Sequence, residues 1–280
     1  MKAAQYDYQV VPLHDDIYLL DDFFHVHCYL IIGKEKALLI DTGVGVGNLA
    51  DTVKQITEKE VLLVNTHTHP DHIGNNSLFP SVMISQEDKA LYDACASESF
   101  KSKSLPPFIK EMDADFPEDL MEHMIQKDEA VDISYLHDRQ ILSLGQRNVE
   151  VIATPGHTQG SLCFYDSASK SLFTGDTVCD QSVLLCFEES ADLTSYRKSL
   201  MKLYHRKEIE KIYSAHHKIP LDITIVEQYL ECVDEVLSGS FTGTYSHSSV
   251  GCGIQVTHGQ IGIRIRKTMQ NEKRNVIQTD

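Results

Sequence analysis

Within six consecutive positions, 67 to 72, the chain carries three imidazoles and a carboxylate: His67, His69, Asp71 and His72. Three positions earlier the apolar run Val61-Leu62-Leu63-Val64 ends. A short, uninterrupted apolar run bounded by polar residues reads as a strand of a sheet buried on both faces. Four hydrogen-bonding side chains cannot follow such a strand into an apolar core without a shared partner, because unpaired polar groups are costly to bury. The chain must therefore build a sheet whose strand ends open onto a polar site. Imidazole and carboxylate are ligands that zinc and similar borderline metals accept, and a loop at a strand end can aim several of them at one point. Taken alone, the segment would also fit a histidine-rich surface loop or a single structural metal site.

Three more segments repeat the pattern of a His or Asp at a strand end. Thr154-Pro155-Gly156-His157-Thr158 follows the β-rich run Val149 to Ala153. Phe173-Thr174-Gly175-Asp176-Thr177 closes the run beginning at Ser171, and Tyr213-Ser214-Ala215-His216-His217 closes the one beginning at Lys211. Elsewhere, short β-rich runs between turn residues, Tyr8 to Val11, Ile17 to Leu20, Val26 to Ile32 and Ala37 to Ile40, predict a meander. Helical spacing marks 48 to 56, 85 to 95, 193 to 204 and 223 to 237, the last stopped by Gly239. The stretch Ser97 to Asp138 lacks strand character, is interrupted by Pro106-Pro107, and reads as a helical insertion. Strand runs on either side of it predict two sheets. Near the end, alternation around His258-Gly259 predicts a hairpin, and Gln270 to Asp280 reads as a tail.

The net charge is 25 − 41 = −16, which repels a long polyanion and makes nucleic acid a poor partner. Arg264, Arg266 and Lys267 form a basic cluster that reads as a solvated strand end. Seven scattered Cys form no C-x-x-C pair and cannot all pair internally, so they read as buried thiols in a reducing compartment. No stretch approaches the ~18 apolar residues of a membrane span, and the first residues lack a signal-peptide core. The expectation is a cytoplasmic protein without a membrane partner.

With these residues in view, the chain resembles the metallo-β-lactamase-fold hydrolases, whose pattern runs H-x-H-x-D-H, a distant Gly-His, a Gly-Asp and a final His. The resemblance spans roughly 17 to 216, and Ile40-Asp41-Thr42-Gly43 matches the family's early aspartate. It implies an α/β (α+β) fold, a four-layer αβ/βα sandwich of two mixed β-sheets flanked by helices. It also implies one domain over 1–280, with the insertion at 97–138 and a C-terminal hairpin and tail at 240–280. Carried over residue by residue, His67, His69 and His157 would bind one divalent metal, and Asp71, His72 and His216 a second. Asp176 would bridge them. Zinc is the expected metal, with iron or manganese as alternatives. A bridging hydroxide would attack the substrate, with Asp71 as the catalytic carboxylate that orients it and carries a proton. Asp41 would hold the His loop by hydrogen bonds. The family's Pro-Gly-His-Gly aligns with Ser214-Ala215-His216-His217 and favours His216 over His217 as the last ligand.

The implied activity is hydrolysis of a small ester, thioester or lactone, in the glyoxalase II-like (hydroxyacylglutathione hydrolase-like) branch. The glutathione-binding basic residues of that branch are not recognisable, and Thr177-Val178-Cys179 lacks the tyrosine that lactonases place after the bridging aspartate. A persulfide dioxygenase with one iron on His67, His157 and Asp176 is the alternative. His25 and His27 share a strand face but read as ordinary residues, as do His14, His123, His137, His205, His247 and His258. Phe108, Phe116, Met121, Met124 and Ile125 of the insertion would suit an apolar acyl group, or pack the insertion onto the domain or another subunit. A homodimer stays open.

Overall fold

A computed structural model describes residues 6–127, 130–249 and 251–266. Lys267 and the expected tail, Gln270 to Asp280, lie outside these. The chain divides into two compact units, Met1–Val151 with Asp166–Ser169, and Ile152–Tyr165 with Lys170–Asp280. It is a mixed α/β protein, with seven α-helices among the described residues. The described strands fall into three sheets, of seven, five and four strands, where the sequence led us to expect two.

In the first unit the strands β1 (Gln9–Pro12), β2 (Ile17–Asp21), β3 (His27–Ile32) and β4 (Lys36–Ile40) form the expected meander. They continue into β5 (Glu60–Val64), β6 (Ser81–Ser85) and β7 (Asp132–Leu136), in the order β1 to β7. Pairing is antiparallel up to β4 and parallel from β4 onward. The change of sense follows from the connections, because parallel neighbours need a crossover and helices supply it. Helix α1 (Leu49–Ile56) crosses between β4 and β5, its first turn capped by the Asn48 side chain, which accepts from Asp51 N at 3.2 Å. The one-turn helix α2 (Pro70–Ile73) and a 3₁₀ turn lie between β5 and β6. Between β6 and β7 come α3 (Lys89–Ala96), α4 (Glu98–Met112) and α5 (Glu118–Gln126). The unit ends in the antiparallel pair β8 (Ile141–Ser143) and β9 (Asn148–Ala153), whose last two residues belong to the second unit.

Two sequence expectations change here. Helix α4 runs on through Pro106 and Pro107 rather than breaking. Proline removes hydrogen bonds to the carbonyls four residues back, here those of Ser102 and Lys103. Both residues are exposed, so water can serve those carbonyls, while Leu105 and Ile109 remain buried and anchor the helix. The stretch 97–138 also contains β7, which pairs with β6 from Ser81↔Asp132 to Ser85↔Leu136. Phe116, Met121 and Met124 are buried in one cluster with Tyr6, Phe24, Val26, Val44 and Val46, and Phe108 and Ile125 pack against it. These residues therefore pin the insertion to its own unit.

The second unit contains β10 (Leu162–Asp166, its last residue counted with the first unit), β11 (Ser171–Gly175) and β13 (Lys211–Ser214), in the order β13-β11-β10. The strands β12 (Ser182–Leu185), β14 (Gly243–Ser248), β15 (Gly251–His258) and β16 (Ile261–Ile265) form the four-stranded sheet, order β12-β16-β15-β14. This is the unexpected third sheet. Strand β12 is too short and half-buried for its pattern to mark it, and it is fixed by parallel pairing with β16 from Ser182↔Gly262 to Leu185↔Ile265. Strands β15 and β16 meet in a tight hairpin, with Gly259 at φ 62°. Helices α6 (Leu193–Tyr204) and α7 (Thr224–Ser238) share an apolar cluster with this sheet, and α7 ends on Gly239 at φ 79°.

Cys28, Cys95, Cys163, Cys179 and Cys232 are buried free thiols, Cys186 is half-buried and Cys252 exposed. Arg264 and Arg266 are engaged by Gln255, Ser248 and the Ser190 carbonyl. Among the described residues no helix is long and apolar enough to cross a membrane.

Candidate metal centre

In the first unit the ligand candidates hang on Asp41. This residue leaves β4 with φ 63°, donates its amide to Val64 O at 2.9 Å, and is 1% exposed. Its Oδ1 accepts from Thr66 N, and its Oδ2 from Thr66 Oγ1, each at 2.7 Å. The same Oδ2 lies 2.9 Å from His72 Nδ1. A carboxylate accepts, so Nδ1 carries the proton and the lone pair of His72 is on Nε2. Thr66 extends the arrangement, since its hydroxyl hydrogen is committed to Asp41 and its oxygen lies 3.2 Å from His67 Nδ1. That oxygen can only accept, which places the lone pair of His67 on Nε2. His67 Nε2 is 3.1 Å from His69 Nδ1, and His72 Nε2 is 3.6 Å from Asp71 Oδ2.

Close backbone contact holds this loop in place. Thr42 N donates to His72 O and Gly74 N to Gly43 O, each at 2.9 Å, and Asn65 Nδ2 donates to His72 O at 3.0 Å. A Cβ on Gly74 would stand 2.3 Å from the Val44 carbonyl, so only glycine fits there.

In the second unit His157, Asp176 and His216 come from three strand ends. Strand β11 pairs in parallel with β13, Gly175 opposite Ser214. That register brings Asp176, one residue beyond β11, and His216, two beyond β13, to the same end of the sheet. Asp176 offers one oxygen to each histidine: Oδ2 is 3.5 Å from His157 Nε2, and Oδ1 is 3.4 Å from His216 Nε2. His157 Nδ1 donates to Leu184 O at 2.7 Å, which again leaves the lone pair on Nε2. Gly156 lets the loop run against Tyr196, where a Cβ would sit 2.3 Å from the ring. Of the adjacent pair, His216 is the one whose Nε2 lies beside Asp176. His217 has φ 65°, and burial together with the neighbouring His216 pushes its imidazole below the usual range.

The donor sets suit divalent metal. Two nitrogen ligands of one tetrahedral zinc, each at ~2.0–2.1 Å, stand roughly 3.3 Å apart, and the separations of 3.1 to 3.6 Å fall around that value. Three of the histidines have one nitrogen tied to an acceptor and the other left as a lone-pair donor, which is how metal-binding histidines are oriented.

The expected bystanders stay outside these clusters. His25 is exposed with Nδ1 3.0 Å from Asp21, and His27 Nε2 is 3.8 Å from the same carboxylate. His258 lies 3.1 Å from both Glu231 and Glu235. The sequence reading missed two positioning groups, Thr66 and the Leu184 carbonyl. Thr66 could have been singled out by its place directly before His67. A backbone carbonyl on an unforeseen strand leaves no such mark.

The family model of the metallo-beta-lactamase superfamily matches residues 21–216. An acyl-coenzyme A thioesterase from Gallus gallus is 28% identical over 229 residues, which cover 73% of this chain and 79% of that protein. A probable metallo-hydrolase from Methanocaldococcus jannaschii is 30% identical over 207 residues, 68% of this chain and 87% of that one. A hydroxyacylglutathione hydrolase from Pelagibacter ubique is 26% identical over 196 residues, 68% of this chain and 66% of that one. Among solved structures, a metallo-beta-lactamase from Pontibacter korlensis shares the fold, with a TM-score of 0.58 and 20% identity, covering 81% of this chain and 99% of that one. With a family model matched over 196 of its 280 residues, this chain belongs to the metallo-beta-lactamase superfamily.

Proposed function

We propose that the chain is a cytoplasmic thioester hydrolase working with two divalent metal ions, zinc foremost, and that both units belong to one metallo-β-lactamase-like domain. The observation that carries the two-metal reading is Asp176, whose two oxygens each face a different imidazole. A carboxylate so divided suits a bridge between cations. In this reading His67, His69 and His157 hold one ion, Asp71, His72 and His216 the other, and Asp176 both. The thioester class is supported by relatives of two kinds, a thioesterase and a hydroxyacylglutathione hydrolase, which both cleave thioesters.

When bound, such a metal pair supplies hydroxide near neutral pH and polarises the acyl carbonyl. The residues of the chain do the rest. Asp41 and Thr66 hold His72 and His67 with their Nε2 lone pairs outward, and Leu184 O does the same for His157. Asp71, one-quarter exposed, orients the attacking oxygen and moves its proton towards the departing sulfur. A thiolate leaves readily and needs no acid beyond Asp71, which agrees with Thr177-Val178-Cys179 standing where lactonases carry a tyrosine.

The test is metal content per chain after purification without chelator, together with turnover on a panel of thioesters, lactones and phosphodiesters. About two ions per chain with preferential thioester cleavage is the expected result. A single iron with oxygen consumption on a persulfide would replace this reading with the dioxygenase one, and preferential lactone or phosphodiester turnover would replace the substrate class.

A further inference from the structure

The first unit contains a cavity of about 190 Å³ that the hydrolytic reading does not use. Gly45, Val46 and Gly47, the glycine-rich turn leading into α1, line it together with Asn75 and with His123 and Lys127 of the insertion. Leu78, Leu120 and Met124 supply its apolar side. The chain has 41 Asp and Glu and a net charge of −16, yet among the described residues neither type lines this cavity.

Lys127 Nζ donates to Gly74 O at 2.8 Å and to Asn75 Oδ1, which holds its ammonium against the cavity lining. The two asparagines are already engaged: Asn75 Nδ2 donates to Tyr8 OH at 2.8 Å, and Asn48, at the rim, caps α1 with its amide on Asp51. The backbone behaves differently. Gly45 is at φ 106° and Gly47 at φ 74°, and among the described residues the amides of Gly45, Val46 and Gly47 make no hydrogen bond. Gly45 and Val46 are buried. Buried backbone N–H groups are almost always paired, so a run of unsatisfied ones beside a cavity calls for an acceptor. Successive amides in a turn of alternating backbone handedness form an anion-binding concavity.

We propose that this cavity binds a phosphate-type anion, through the amides of the Gly45–Gly47 turn together with the Lys127 ammonium and an N–H of the His123 imidazole. The volume exceeds the roughly 150 Å³ that accommodates a benzene-sized molecule, and falls below the ~300–1,000 Å³ of drug-sized ligand pockets. It takes a phosphate or pyrophosphate group, with any remainder of the ligand outside. The site lies wholly within the first unit and is independent of the thioesterase reading.

Titration calorimetry on the metal-loaded protein with inorganic pyrophosphate tests it. Because an anion could also bind the metals, the same titration is run on Asp176→Ala. Saturable one-to-one binding is expected in both, weakened at least tenfold by His123→Glu, which puts a carboxylate at an exposed rim position, and by Lys127→Gln. Absence of saturable binding, binding unchanged in both cavity variants, or binding lost in Asp176→Ala would overturn the proposal. A parallel titration with a nucleoside bisphosphate identifies the source. Tighter binding than pyrophosphate, still sensitive to His123→Glu, supports the site as the seat of a larger ligand's phosphate, and equal or weaker binding supports it as a site for the free anion.

Discussion

The two units carry their shares of the ligand set in different ways. In the first, four candidates fall within six residues and two of them are steered by one buried carboxylate, Asp41. In the second, His157, Asp176 and His216 are spread over sixty positions and meet through strand register, with Gly175 opposite Ser214. A local cluster carries its geometry in its spacing, because neighbouring residues in a loop cannot separate far. A dispersed one depends on the sheet, and its members are individually replaceable in sequence but not in place. Losses in the first unit should therefore be graded, since several neighbours hold each ligand. A loss in the second should be abrupt.

The sharpest test is Asp176→Ala. No neighbouring carboxylate can take over a position set by strand register, so metal content should fall to one ion or fewer per chain. Turnover should drop on the order of 10³-fold, about 4 kcal/mol of barrier at 1.36 kcal/mol per tenfold. Two ions and full activity in this variant would break both the bridging role and the contrast between the units.

A second contrast lies in pH. The first unit buries Asp22, whose oxygens accept from Phe24 N, Val26 N and Val44 N, each at 2.9 Å. Burial outweighs these bonds and pushes its carboxyl from 3.8 up to about 6. A carboxylate with a folded value above its unfolded one binds more protons when folded, so its stability contribution is fully present below about 4 and is lost as pH rises through about 6. The loss is on the order of 3 kcal/mol, from roughly two units at 1.36 kcal/mol each. The second unit's buried thiols, Cys163 and Cys179, are both pushed up by burial to about 11 and stay neutral across this range. Urea unfolding between pH 4 and 7 should show wild type losing stability relative to Asp22→Asn as pH rises. A difference that stays flat with pH would remove Asp22 as the source.

The same difference decides what could be read in advance. The H-x-H-x-D-H segment was legible because its ligands are adjacent, and the other three were legible because each ends a recognisable β-rich run. Strands β6, β7, β12 and β14 were not. Each is short or flanked by turns, and β7 and β14 are largely exposed, so what makes them strands is the partner they pair with. The third sheet was hidden for that reason. Pro106 and Pro107 misled in the opposite direction, since the local rule for proline is overridden where the orphaned carbonyls face solvent and Leu105 and Ile109 are anchored.

Asp41→Asn probes the graded behaviour of the first unit. The variant keeps the shape but can accept through only one oxygen, and its amide nitrogen would face a donor, either Thr66 or His72. Partners of metal-binding histidines typically contribute about 10–100-fold to metal affinity or activity, and a loss in that range is expected, smaller than for Asp176→Ala. Zinc competition against a chromophoric chelator measures it. An effect as large as that of Asp176→Ala would erase the distinction between holding a ligand and being one.

Thr66→Val asks how far the influence of Asp41 reaches. Valine fills nearly the same space but cuts the path from His67 Nδ1 through the hydroxyl to Asp41 Oδ2, leaving the direct Asp41–His72 bond at 2.9 Å intact. His67 would keep its position in the loop and lose the acceptor that fixes its proton on Nδ1. The expected cost is about tenfold in zinc affinity, the lower end of the range for such partners. A loss equal to that of Asp41→Asn would mean that the carboxylate acts chiefly through His67 rather than His72. No loss at all would mean that the short spacing of the loop orients His67 unaided, and the contrast between a local and a dispersed ligand set would then be stronger than the hydrogen bonds suggest.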